Sequence, residues 1–213
     1  MSTTESWKTK PSDRFVLRWI KCHLSSRITP RLLGFPWLRP WMITVSSATL
    51  GVVAGGLFAL GWAVSAGVLA GIAQILDGVD GQFARITGTE SKGGAFLDSV
   101  LDRYADGSMV LGMLVYLLRL ESLPLSSWLV GLVGFLALAG SGLVSYTSAR
   151  AESLGLSMGA PTLASKGTRT SVMVLCALGT LLWPFLPVAA LVYLAVHPNV
   201  VVIRRLLRGC RAF

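Results

Sequence analysis

Four aspartates at helical spacing carry the most visible chemistry in this sequence. They stand in the run Asp77-Gly-Val-Asp80-Gly81-Gln-Phe-Ala84-Arg85, followed after eight residues by Gly94-Ala-Phe-Leu-Asp98-Ser-Val-Leu-Asp102. Asp77 and Asp80, at i and i+3, share one helix face, as do Asp98 and Asp102 at i and i+4. Carboxylates crowded into an apolar setting repel one another and need protons or cations to hold them together. Hard oxygen ligands of this kind suit Mg²⁺ or Mn²⁺, and two such ions would offset the four negative charges. Bound ions would in turn attract a pyrophosphate. Gly81 and Ala84 are small enough to let a nucleotide approach the helix backbone, and Arg85 can contact a phosphate or a base. Helix-end charges that merely mark a membrane interface would explain one such aspartate better than four at these spacings.

The elements that must position these groups are written in the hydropathy. Of 213 residues, 53% are hydrophobic and only 14% charged, and the mean hydropathy is +0.66. That balance points to an integral membrane protein. No residue between Arg39 and Asp77 is charged, enough for two spans of about 20 residues each with a turn near Gly61 and Trp62. The first helix is expected over 42–60, the second over 63–83 and the third over 94–118. A fourth fits between Glu121 and Arg150, and a fifth and sixth between Arg169 and Arg204, where Pro184 and Pro187 break the run. The short 85–93 connection makes the second and third helices antiparallel neighbours, so all four aspartates fall at one depth and converge on one pocket.

Eight Lys and Arg precede the first helix, and Arg85, Lys92, Arg150, Lys166, Arg169, Arg204, Arg205, Arg208 and Arg211 fall on the same side; Arg119 is left for the other. By the bias of basic residues towards the cytoplasm, both termini and the 85–93 loop face the cytoplasm. The formal net charge of +9 is therefore a matter of topology, and nucleic-acid binding is not expected. From Ser12 to Leu33, apolar residues including Trp19 and Leu24 alternate with Arg18, Lys21 and Arg27, as in a helix lying in the headgroup layer. Residues 1–41 thus read as a basic interfacial segment, retained in the mature chain, and 42–213 as the transmembrane core of a single domain. The fold class is all-α, a bundle of six transmembrane helices behind an amphipathic one. Cys22, Cys176 and Cys210 have no metal-ligand or disulfide spacing, and His23 and His197 are solitary.

The acidic run resembles the signature of the CDP-alcohol phosphotransferases, D-x2-D-G-x2-A-R-x8-G-x3-D-x3-D. Asp77, Asp80, Gly81, Ala84, Arg85, Gly94, Asp98 and Asp102 match every fixed position. The resemblance implies that Asp77, Asp80, Asp98 and Asp102 hold two ions, Mg²⁺ or Mn²⁺, that bridge the phosphates of a CDP-activated donor. It implies that Asp102 is also the general base, that CMP is released, and that Gly81, Ala84, Arg85 and Gly94 line the nucleotide site. Asp106 continues the i+4 row outside the signature and is expected to support the site. Relatives often carry Pro-Asn-x-x-Thr at the first helix, where this chain has Pro40-Trp41-Met42-Ile43-Thr44. A nucleotide contact from Thr44 is retained by that comparison, and Trp41 reads as an aromatic anchor.

Within the family, the strings Gly94 to Asp106 and Ser145 to Glu152 look most like the branches that use inositol phosphate. The donor would then be CDP-diacylglycerol, CDP-archaeol or CDP-inositol, in a lipid membrane. Arg150, Lys166 and Arg169 are the cations expected to bind the acceptor phosphate. Lys166-Gly-Thr-Arg169 stands where those relatives often have Arg-x-x-Arg, and glycerol 3-phosphate is the alternative acceptor. The resemblance also implies a homodimer in the cell membrane. An ion transporter would instead place its carboxylates near the bilayer midplane in repeated halves, and no repeat is visible. A catalytically inactive scaffold is disfavoured because no signature aspartate is lost.

Overall fold

A computed structural model describes residues 7–9, 15–156 and 163–210. Its helices are α1 (Phe15–Ile20), α2 (Ser26–Leu32), α3 (Pro40–Ala59), α4 (Ala63–Thr87), α5 (Lys92–Leu118), α6 (Ser127–Ser153), α7 (Lys166–Leu178) and α8 (Leu186–Cys210). A π turn over Lys21–Ser25 joins α1 to α2, and a 3₁₀ turn over Gly179–Leu181 ends α7. There is no strand among the described residues. Among the described residues four helices, α3, α4, α6 and α8, are long and apolar enough to cross a membrane. The acidic face of α5 and the 13-residue length of α7 separate those two from the other four.

Each boundary has a local cause. Pro40 opens α3, where a missing N–H costs nothing. The turn between α3 and α4 uses Gly61 at φ 95°, and α4 ends on Gly88 at φ 64°, conformations that side-chain-bearing residues avoid. Ser91 caps α5 by accepting a hydrogen bond from the Gly94 amide at 3.0 Å. The second helix therefore runs past the expected 83 to Thr87, and the 84–85 pair belongs to α4 rather than to the turn. The fourth likewise extends past Arg150 to Ser153.

In an apolar solvent helices associate through close packing more than through exclusion of water, and small residues set how close. α3 and α5 touch backbone to backbone: a β-carbon built on Gly112 would collide with the Gly55 carbonyl, and one on Gly55 with Ser108. Gly51 meets the Ala105 methyl group in the same way. Around this seam lies a core that includes Phe58, Met113, Tyr116, Met173 and Leu191. Phe58 and Tyr116 stack edge to face with ring centroids 5.2 Å apart. At the end of the bundle remote from the acidic run, Arg119 donates to the Ala59 carbonyl at 2.9 Å, closing the end of α3.

The amino-terminal helices are seated on α4 by buried polar contacts. Thr29 Oγ1 donates to Gln82 Oε1 at 2.7 Å, and Gln82 Nε2 donates to the carbonyls of Lys21 and Lys8, each at 2.9 Å. Ser25 Oγ donates to the Ile75 carbonyl at 2.8 Å, in the space left by Gly78. The expected start of this segment, near Ser12, lies outside the described residues, as does Arg211.

The Gly55–Gly112 seam gives a direct prediction. Gly112→Ala should destabilise the protein by about 1–3 kcal/mol through overpacking, whereas Gly56→Ala, which meets nothing within 4 Å, should be neutral or slightly stabilising. Thermal unfolding of both variants in one detergent would check this, and equal midpoints would dismiss the seam as a constraint.

Candidate active site

The turn between α4 and α5 brings the two acidic pairs together. Asp77, Asp98 and Asp102 each place a carboxylate oxygen within 4.8 Å of the others. Asp80, one turn along α4 from Asp77, is 7% exposed. Its Oδ2 accepts from Thr44 Oγ1 at 2.6 Å, and its Oδ1 accepts from the Gly81 amide at 2.5 Å. Thr44, expected at the nucleotide, is thus the residue that orients Asp80. A threonine at this point of α3 supplies a donor to the second oxygen of a buried carboxylate whose first oxygen is met within α4.

A cavity of about 410 Å³ opens beside Asp80 and Asp98. Thr44, Gly81, Ala84, Arg85 and Gly94 all line it, so every residue expected at the nucleotide borders one space. Trp41 lines it too, rather than acting only as an anchor in the membrane surface. A β-carbon on Gly81 would stand 3.4 Å from the Arg85 guanidinium, so the glycine keeps room for that group along the helix. Arg85 Nε donates to the Trp7 carbonyl at 2.8 Å, which fixes the guanidinium at the cavity wall.

A second cavity, of about 560 Å³, lies between α5 and α6 on the other side of the cluster. Asp102, Arg103, Ser141, Ser145 and Tyr146 border it. Buried Arg103 Nε and Ser141 Oγ have no hydrogen-bond partner, which leaves a donor and a hydroxyl for a polar guest. Reasoning from spacing had not singled out Arg103 or this face of α6. Ser141, Ser145 and Ala149 recur every fourth residue, a small and polar stripe on an otherwise apolar helix, and that is the signal that could have found it.

The three cations expected at the acceptor phosphate have different fates. Lys166, first residue of α7, donates from Nζ to Asp77 Oδ1 at 2.5 Å and also to Asp102 Oδ1. Arg169 is 1% exposed. It donates to Asp106 Oδ2 and to the Ala164 carbonyl, both at 2.6 Å. Arg103 adds a weaker contact, 3.8 Å from both Asp102 and Asp106. Arg150 is exposed in the last turn of α6, its guanidinium 3.5 Å from Ser153 Oγ. The structure therefore joins Lys166 to the cluster, ties Arg169 to Asp106, and keeps Arg150 apart from both.

Such a site can hold hard divalent cations: three carboxylate oxygens converge, a fourth carboxylate is oriented beside them, and the neighbouring ammonium confirms that the place attracts positive charge.

Comparison with known proteins agrees with this arrangement. A family model described as CDP-alcohol phosphatidyltransferase matches residues 37–203, which contain the whole cluster. The bifunctional IPC transferase and DIPP synthase of Rubrobacter xylanophilus is 36% identical over 201 residues, 94% of this chain but only 44% of that protein. The archaetidylinositol phosphate synthase of Pyrococcus horikoshii is 34% identical over 142 residues, 66% of this chain and 70% of that protein. The crystal structure of Mycobacterium tuberculosis phosphatidylinositol phosphate synthase with CDP-DAG bound is similar with a TM-score of 0.74 at 26% identity, covering 86% of this chain and 92% of that one.

Burial makes the Arg169–Asp106 pair a stability element. Arg169→Met should cost about 3–5 kcal/mol by leaving the Asp106 carboxylate without its partner, and adding Asp106→Asn should restore part of the loss. The measurement is a double-mutant cycle in thermal unfolding; additive losses would show that the two groups act separately.

Proposed function

The chain belongs to the CDP-alcohol phosphatidyltransferase family, and we propose that it transfers a phosphate-linked group from a CDP-activated donor to the hydroxyl of a phosphorylated alcohol, releasing CMP. The observation that carries this reading is the position of the aspartates: they stand between two cavities, with Asp80 and Asp98 on one and Asp102 on the other. The Pyrococcus and Mycobacterium relatives are both named for inositol phosphate products, which favours inositol phosphate as acceptor and a CDP-lipid as donor.

In this reading the cytidine and its phosphates occupy the cavity of Thr44, Gly81, Ala84, Arg85 and Gly94, and the acceptor occupies the cavity of Arg103, Ser141 and Tyr146. Asp102 takes the proton from the acceptor hydroxyl. That oxygen attacks the phosphorus distal to cytidine, the pyrophosphate P–O bond breaks, and its electron pair leaves on CMP. Mg²⁺ or Mn²⁺, two ions held by Asp77, Asp80, Asp98 and Asp102, would supply Lewis-acid polarisation of the donor phosphates and charge to offset the departing CMP. A carboxylate is a weak base for an alcohol, so most of the barrier reduction falls to positioning and charge neutralisation. Thr44 and Gly81 hold Asp80 in place, while Arg103 gives the acceptor phosphate a guanidinium partner. Arg150, one turn beyond Tyr146 on α6, can extend that positive surface.

The placement in the membrane follows the same logic. α5 and α7 complete six spans, with Asp98 and Asp102 facing inward, and α1 and α2 lie in the headgroup layer. Both termini and the site face the cytoplasm, as the crowding of Lys and Arg at that end supports. A homodimer is the assembly that the family resemblance favours.

Asp102→Asn should fold normally and lower turnover by roughly 10² or more. Excess chelator should abolish turnover, and Mg²⁺ or Mn²⁺ should restore it. Arg103→Met should raise the KM for inositol phosphate about tenfold or more, the loss expected for one charge-assisted contact, with the donor KM little changed. CMP release measured with inositol phosphate, glycerol 3-phosphate and free inositol would test the acceptor. Equal use of free inositol would sink the phosphate requirement, and full turnover in chelator would sink the reaction as drawn.

A further inference from the structure

We infer that Lys166 is a displaceable internal counter-ion: without metal its ammonium takes the place of a divalent cation between Asp77 and Asp102, and the arriving cation displaces it. The inference rests on the divalent-ion part of the proposed function and deepens it with a residue that controls loading of the site.

Geometry supplies the first reason. One ammonium bridges the two carboxylates, and with Asp98 those same two groups form the only convergence of three such ligands among the described residues. An ammonium and a divalent ion seeking the same oxygens exclude one another, by direct repulsion and because each needs the same lone pairs. Charge supplies the second. A divalent ion brings twice the positive charge of the Lys166 ammonium to the oxygens of Asp77 and Asp102 that the ammonium bridges. The ammonium, carried by α7, ties a carboxylate of α4 to one of α5.

Lys166 is also built to move while its backbone stays fixed. Gln74 Nε2 donates to the Gly167 carbonyl at 2.9 Å and to Ser171 Oγ at 3.0 Å, pinning the first turn of α7 to α4. On the opposite side a β-carbon on Gly167 would stand 2.7 Å from that of Leu17. Only the side chain has freedom, and a lysine carries a compact charge on a flexible four-carbon stem. A gap of about 40 Å³ beside Asp77, Asp102 and Lys166 exceeds the space one water requires. Three positions along the chain, Arg169 shows the opposite design of a buried, forked guanidinium locked on one carboxylate.

The test uses the full chain in detergent micelles and follows Mn²⁺ binding by electron paramagnetic resonance of the free ion. Lys166→Met should bind Mn²⁺ about tenfold or more tightly than the native protein, and its metal-free unfolding midpoint should fall. Saturating Mn²⁺ should bring the two midpoints together. Mn²⁺ affinity in Lys166→Met equal to or below the native value overturns the inference, while absence of Mn²⁺ binding in the native protein overturns the metal reading on which it rests. A measurement on the native chain covers the case in which the variant does not fold without metal. Amine-selective labelling read by mass spectrometry should modify Lys166 faster with Mg²⁺ than in chelator, with exposed Lys92 as the reference. Labelling of Lys166 that stays equal or slows on adding Mg²⁺ also overturns it.

Discussion

The constraint on which the rest of this structure depends is the mutual repulsion of carboxylates placed where water is scarce. Five aspartates, Asp77, Asp80, Asp98, Asp102 and Asp106, line facing sides of α4 and α5. Each must be matched by a donor or a cation, because an unpaired buried charge costs more than a helix bundle of this size can tolerate. The neighbouring elements are arranged to meet that requirement. α3 brings Thr44 to Asp80, the first turn of α7 brings Lys166 to Asp77 and Asp102, and its second brings Arg169 to Asp106. The bare Gly55–Gly112 seam is what lets α3 lie close enough to α5 for these side chains to share one layer.

Along α5 the row Asp98, Asp102, Asp106 has a regular four-residue period, yet its members have separate surroundings. Asp98 borders the cavity next to α4, Asp102 the cavity next to α6, and Asp106 a buried arginine. The gradient runs from solvent towards the core. At about 1.5 Å per residue, Asp98 stands roughly 9 Å from the start of α5, and Asp77 roughly 15 Å from the end of α4. Asp80 and Asp98, the two nearest the α4–α5 turn, open on a cavity lined also by Thr89, Glu90 and Ser91 of that turn, which suits chemistry on a soluble nucleotide.

Much of this was legible in the sequence because it depends on local periodicity. The i+3 and i+4 spacings bring Asp77, Asp98 and Asp102 together as expected. The expected direct packing of α4 on α5 and the single pocket for all four aspartates are corrected: α3 packs against both α4 and α5, and Asp80 turns to Thr44. The cavity of Thr44, Gly81, Ala84, Arg85 and Gly94 follows from the same spacings. What spacing could not reveal was which partner each polar side chain takes across the bundle. Thr44 faces Asp80 because α3 crosses α4 at that level, and Arg169 turns to Asp106 because it lies three residues, and so nearly one full turn, beyond Lys166. Three cations that look equivalent in sequence thus divide among the cluster, the core and the surface. The ends of α4 and α6 shifted for a related reason: Arg85 and Arg150 are good helix formers whose charge suggested a loop, and a helix reaching the membrane surface can carry them in its last turn.

Two kinds of ion pair therefore coexist within one turn of α7, and their difference bears on how such a site can be both stable and reactive. Arg169 and Asp106 are nearly free of solvent, hold each other at 2.6 Å and leave the guanidinium with a backbone carbonyl as its second acceptor. Exchange of either partner for an ion would strand the other, so this pair is suited to staying intact. Lys166 has side-chain exposure of 24% and shares its charge between two carboxylates exposed by 16% each. Its release leaves those carboxylates to another cation and returns the ammonium to a wetter surface, so neither product is stranded. A locked pair one turn below a loose one lets α7 remain anchored while the charges above it rearrange. That division of labour explains why the same helix turn can support the fold at Asp106 and still leave the cluster at Asp77 and Asp102 open to exchange.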